Sequence, residues 1–219
     1  PITKNPEFFP VLLEDIALRY QAQGVRYAEL SCSEIVKYEW LAKAHQCLPD
    51  IEQRTGVELR FLAGIWRHSP EHFMLDVADQ VMYAASISPW VVGVDFMGHE
   101  TNSTLSFRDV ISSENPWKPG ESLTDPRTNQ PRGDGLAEFA KKMPGFQIRV
   151  HAGENPVHPG NVRDAVEAGA TRVGHGLYGV STSRDIDLLK NKGVRVEFNG
   201  NSNRALNNID GLDAQDELR

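Results

Sequence analysis

The sequence predicts an α/β fold, a parallel sheet covered by helices, and two observations carry that prediction. Short β-rich apolar runs alternate with helical patterns along almost the whole chain. Four successive runs also end in residues able to do chemistry: Asp95, His151, His175, and Glu197 with Asn199. Strict alternation implies crossover connections, which make neighbouring strands parallel. Strand tips rich in polar groups are where parallel folds carry their sites.

The elements follow in order. The stretch PEFFPVLLEDIALRYQAQG places Leu12, Ile16 and Tyr20 at helical spacing and stops at Gly24. Val25–Leu30 reads as a strand, and SEIVKYEWLAKAHQCLPDIEQRTG as a helix broken near Pro49. Val57–Arg67 is the next strand. A helix follows it, with Ser69 as cap and Pro70 at its first position. Trp90–Gly98 is an apolar strand. GLAEFAKKM is helical, FQIRVHAGE a strand, NVRDAVEAGA a helix, TRVGHG a strand, SRDIDLLKNKG a helix and VRVEFN a strand. Pattern reading thus gives about six β-α units.

Two architectures fit such alternation: an open doubly wound sheet and a (β/α)8 barrel. No glycine-rich fingerprint follows any strand, so dinucleotide binding has no support. A barrel requires functional residues at the C-terminal ends of several strands, which this chain supplies.

Composition narrows the partners. The chain has 219 residues, 40% hydrophobic and 24% charged, enough to bury a real core in one domain. Its net charge is −7 and it has no Lys/Arg-rich run, which argues against nucleic acid and favours small neutral or cationic substrates. Cys32 and Cys47 form no CxxC and suggest no disulfide framework. No apolar run is long enough to span a bilayer and no signal peptide is apparent, so no membrane association and a cytoplasmic location are expected.

Polar groups converging at strand tips suit metal-assisted hydrolysis. A neutral imidazole such as His151 can bind Zn²⁺ in an open site and help generate hydroxide from water. A carboxyl three residues on, Glu154, can hand a proton to the substrate. His175, one strand over, serves as a second base or orienter. Gly153 keeps the turn small enough for a planar substrate to approach. Each residue taken alone also has a bland reading, as a capped turn histidine or a helix-start glutamate.

HAGE at His151–Glu154, VGHGLYG at Val173–Gly179, GVDFMGHE at Gly93–Glu100 and EFNGNSN at Glu197–Asn203 together resemble the adenosine deaminase family, purine deaminases of the metal-dependent amidohydrolase superfamily. YAELSCS at Tyr27–Ser33 resembles that family's second strand. The motifs occur in the family's order and span roughly half the chain. The resemblance implies that His151 is a zinc ligand, that Glu154 protonates purine N1, and that His175 stands beside the activated water. It assigns Gly98 and Asp95 to substrate binding, with Glu100 organising the same strand tip. The reaction implied is attack at C6 of an aminopurine with loss of ammonia. The separate H-x-E/P-C-x-x-C signature of cytidine-type deaminases is absent.

Departures from the family pattern are specific. The histidines stand at 45, 68, 72, 99, 151, 158 and 175, so the family's His-x-His is absent, as is its Asp-Asp pair. Asn199 and Gly200 replace the usual Cys-Pro. His68 and His72 are spaced i, i+4 but lack the HExxH glutamate, and read as surface-helix residues. Taking the HAGE strand as the fifth, the chain is expected to be an incomplete (β/α)8 TIM-type barrel. It would hold parallel strands two to seven with outer helices, as one domain over 1–219 truncated at both ends. The full-length parent would carry Zn²⁺ and take a small-molecule purine. This chain alone is expected to be inactive, to lack stoichiometric zinc, and to self-associate through exposed sheet edges. An amidohydrolase for another amine or amide, and a non-catalytic binding protein, remain the alternatives. Thr101–Arg132, with Pro116, Pro119, Pro126 and Pro131, reads as a long irregular lid or solvated insertion, with Trp117 a candidate pocket cover.

Overall fold

The computed structural model describes residues 5–100, 102–112, 135–180 and 182–207. Its strands are β1 (Tyr27–Ser31), β2 (Glu58–Trp66), β3 (Val91–Met97), β4 (Gln147–Ala152), β5 (Arg172–His175) and β6 (Arg195–Glu197). They form one sheet in the order β1-β2-β3-β4-β5-β6. The registers of β1 with β2, β4 with β5 and β5 with β6 are parallel. Sequence order equal to spatial order is the strand order of a (β/α)8 barrel. The chain has that fold in incomplete form, as the alternation predicts.

The helices are α1 (Phe9–Ala22), α2 (Tyr38–Thr55), α3 (Glu71–Ile87), α4 (Arg108–Ile111), α5 (Leu136–Lys142), α6 (Asn161–Ala168), α7 (Ser183–Lys192) and α8 (Gly200–Asn207). Three of them correct the sequence reading. α2 runs unbroken through Pro49. Pro49 lies on the exposed side of the helix, where the carbonyl its ring leaves without a donor can be hydrated. α4, with a 3-10 turn at Thr104–Phe107, gives regular structure to the start of the stretch read as wholly irregular. The rest of that stretch, Trp117 included, lies outside the described residues. α8 covers the asparagine-rich segment that sequence reading left without an element. At α3, the carbonyl of Pro70 accepts from the amides of Phe73 and Met74, so Pro70 stands just before the helix. No described helix is long and apolar enough to cross a membrane.

The described residues fall into two compact units. The first comprises those up to Gly64 together with Asp79–Val94. Its core is apolar. Phe9 and Leu13 of α1 and Trp40, Leu48 and Ile51 of α2 are buried with Leu59 and Phe61 of β2. Phe9 meets the Trp40 ring edge-on at 4.8 Å. Burying such side chains contributes roughly 1.5–3 kcal/mol each.

The second unit comprises Ile65–Ala78 and the residues from Asp95 onward. β4 alternates cleanly: Ile148, Val150 and Ala152 are buried, while Gln147, Arg149 and His151 are partly accessible. A strand repeats every two residues, so Arg149 and His151 share one face of β4. Phe96 of β3 stacks on Phe107 at 5.0 Å. A capping box starts α7. The Thr182 hydroxyl accepts from the Asp185 amide, and the Asp185 carboxylate accepts from the Thr182 amide.

Candidate active site

The second unit brings the candidate residues together. His151 lies one residue before the end of β4, opposite Gly174 of β5, and His175 pairs with Ala152. His175 is the only described non-glycine residue with a left-handed backbone, at φ 75°. Holding a non-glycine residue there costs roughly 1–3 kcal/mol, and such strain concentrates at functional sites. His175 Nε2 lies 3.1 Å from His151 Nδ1 and 3.5 Å from Glu154 Oε1. On its other side, His175 Nδ1 donates to Asn203 Oδ1 of α8 at 2.5 Å.

That last bond fixes the tautomer. With Nδ1 donating, a neutral His175 turns the lone pair of Nε2 toward His151 and Glu154. Burial pushes the His175 pKa below its ordinary value, against the pull of the Asn203 hydrogen bond and the Glu154 charge. The Nδ1–H of His151 then donates to His175. In a neutral His151 the lone pair then lies on Nε2. That nitrogen is buried without a hydrogen bond, 3.3 Å from Asp95 Oδ1.

His151, Glu154 and His175 offer ligand atoms all within 4.8 Å of one another. An imidazole whose far N–H is held and whose near nitrogen is unbonded beside carboxylates is zinc-type donor chemistry. The residues present therefore fit part of a metal site, with His151 Nε2 as its clearest donor.

A cavity of about 320 Å³ opens over these groups, lined among others by Gly98, Glu100, His151, Glu154, His175 and Ser202. That is the lower end of the range for small-molecule pockets. Gly98 has φ 111°, and a Cβ there would press on His68 and Trp66 at 3.3 Å. His68 itself is exposed in the turn before α3, and only His72 is on the helix, so the reading of both as helix residues is corrected for His68. Gly153 corrects the sequence reading too. A Cβ on it would come within 2.4 Å of the Tyr178 carbonyl and 2.9 Å of Val162. Its smallness lets two backbone segments meet, and Tyr178 N donates to Gly153 O at 2.8 Å.

Below the site runs an alternating charge ladder. Asp95 is 1% exposed, and its Oδ2 accepts from Arg149 Nη1 at 2.8 Å. Arg149 Nε donates to Glu197 Oε2 at 2.8 Å, and Glu197 Oε1 accepts from Arg172 Nε at 2.6 Å. Asp95 is thereby pinned on one oxygen and presents the other to His151. Glu197, noted in the sequence as a strand-tip residue, sits in this ladder and not among the cavity-lining residues named above.

Two supports escaped sequence reasoning. Arg67 is 1% exposed; its Nη1 donates to the His151 carbonyl at 2.7 Å and its Nη2 to the Asn102 carbonyl at 2.8 Å. Its guanidinium carbon lies 5.2 Å from the Phe107 ring centroid. Burial pushes its pKa down, opposed by the charges of Glu100 and Glu154. An arginine closing the apolar run FLAGIWR was the available signal. Asn203 was visible only within a motif, with nothing to tie it to His175.

Fold and site together are those of an incomplete (β/α)8 barrel that carries a histidine–carboxylate cluster at its strand tips. No protein-family model matches the chain. Among solved structures it is similar to an adenine deaminase from Arthrobacter aurescens, with TM-score 0.65 and 20% identity, covering 94% of this chain and 56% of that one. It is also similar to an amidohydrolase from Burkholderia ambifaria solved with bound Zn, with TM-score 0.65 and 18% identity, covering 89% of this chain and 48% of that one. In sequence it is 45% identical over 69 residues to an adenosine deaminase from Clostridium perfringens, a match covering 31% of this chain and 20% of that protein. The resemblance to the adenosine deaminase family read from the motifs is borne out. The chain spans about half the length of the solved structures it matches.

Proposed function

We propose that the complete protein hydrolytically deaminates an aminopurine nucleoside, adenosine or a close relative, with Zn²⁺ bound, in the cytoplasm. Residues 1–219 then belong to one barrel domain. The observation that carries this reading is the convergence of His151, Glu154 and His175 from two strand tips on one cavity. His151 holds the metal through Nε2, its ring oriented by the hydrogen bond between Nδ1 and His175. When bound, zinc supplies activation of water at neutral pH. Glu154 delivers a proton to ring N1 as C6 is attacked. His175 accepts a proton at Nε2 and keeps its orientation through Asn203. The backbone of Gly98 and the Asp95 strand tip border the purine.

Among the described residues only His151 matches a zinc ligand of the family, so the 219-residue chain alone is proposed to be inactive and to lack stoichiometric zinc. Its sheet edges favour self-association. The test is loss of adenosine absorbance with the complete protein, together with zinc content. His151→Ala should lower both zinc and turnover; His175→Ala should lower turnover with a smaller loss of zinc. Equal, full zinc occupancy in the two variants would refute the division of roles, and wild-type protein inert toward every aminopurine would refute the activity.

A further inference from the structure

We infer that Glu100 is a positioning residue, a buried carboxylate at the edge of the cavity whose oxygens are committed to building the turn that carries Glu154. Its side chain is 1% exposed and every acceptor direction is taken. Oε1 accepts from the Gly153 amide at 2.8 Å and from Asn161 Nδ2 at 2.7 Å. Oε2 accepts from the amides of Glu154 at 2.7 Å and Asn155 at 2.8 Å. A carboxylate has about four lone-pair sites in its plane, so four donors leave it nothing to offer a ligand.

Three of those donors are consecutive backbone amides at the turn leaving β4. Their carbonyls and amides cannot pair in the sheet, which ends at Ala152. Without Glu100, three buried or half-buried N–H groups would lack acceptors. Asn161 closes the other side. It is 1% exposed, and its Oδ1 accepts from the Thr104 amide at 2.8 Å. The turn is therefore clamped from the β3 tip by Glu100, and Asn161 at the start of α6 holds Glu100 in place. What the clamp sets is the backbone from which the Glu154 carboxyl reaches to 3.5 Å from His175.

The inference rests on the proposed acid role of Glu154, and two measurements separate its failure from failure of that role. The first is amide hydrogen exchange in the complete protein. Glu100→Gln puts an NH2 group where two donors now point, so amides 153–155 should lose protection about tenfold or more, while Val150 in β4 keeps its own. This reads the clamp whether or not an aminopurine is turned over. The second is a double-mutant cycle with adenosine. Glu100→Gln should lower kcat about tenfold or more with KM changed less than about threefold, and should cost less than about threefold further in a Glu154→Gln background. Glu100→Asp keeps the charge but shortens the reach, and should fold and fall between wild type and Glu100→Gln in both measurements. Unchanged protection of amides 153–155 in both variants, or full additivity with Glu154→Gln, would overturn the inference.

Discussion

The two units bury different chemistry. In the first, the only buried polar side chains among the described residues are Thr55 and Ser88, and charges pair at the surface, as in Arg54 with Glu14 and Asp50. In the second, Arg67, Asp95, Glu100, Glu154, Asn161, His175 and Asn203 all lie within the interior. Charged side chains are almost never fully buried without partners, because burial costs several kcal/mol unless hydrogen bonds replace water. A unit that needed only to fold would follow the first pattern. The second accepts the cost and repays it with a network aimed at one cavity.

The largest expected contrast sets activity against stability. Glu154→Gln should lower turnover about 10²–10⁴-fold in the complete protein with little change in unfolding midpoint. Leu48→Ala, at a fully buried position of the first unit, should cost about 2–5 kcal/mol in denaturant unfolding and leave kcat of the folded molecules unchanged. If the two variants exchanged phenotypes, the contrast between units would collapse.

Arg67→Met tests the network where fold and site coincide. It leaves the carbonyls of His151 and Asn102 without donors, so unfolding should be easier by about 2–4 kcal/mol and turnover should fall as well. Arg67→Lys keeps the charge but not the two-pronged reach, and should fall between. A loss of stability with unimpaired turnover would detach Arg67 from the site.

The smallest effect belongs to the α7 cap. Thr182→Ala should cost about 1 kcal/mol of stability. The Thr182 hydroxyl first, and Arg163 after it, hold the Asp185 carboxyl below the usual range. A carboxyl with a depressed folded pKa adds stability above its unfolded value of about 4, and that stability is lost as pH falls through the folded value. Asp185→Asn should therefore flatten the acid limb of a stability–pH curve, leaving turnover at neutral pH untouched.

Much of this was legible in the residues because period and chemistry change together. The switch from alternation to helical spacing located all six strands to within two or three residues. The strand-tip rule picks out Asp95, His151 and His175 from the sequence alone. What escaped depends on contacts far apart in sequence. The segment NGNSN has poor helix formers, and α8 forms there with Asn203 bound to His175, 28 residues away. Arg67 reads as a surface cation until its two carbonyl partners are seen. Pro49 reads as a helix end because sequence alone does not show that the bond it removes is replaceable by water.

His175 has a left-handed backbone. Asparagine and glycine adopt that conformation at less cost than histidine, so a chain selected for durability alone would place one of them there. Such a replacement relieves the backbone and removes the imidazole between Glu154 and Asn203 in the same step. At this position, screening for a more heat-resistant protein and screening for a faster one would pull in opposite directions.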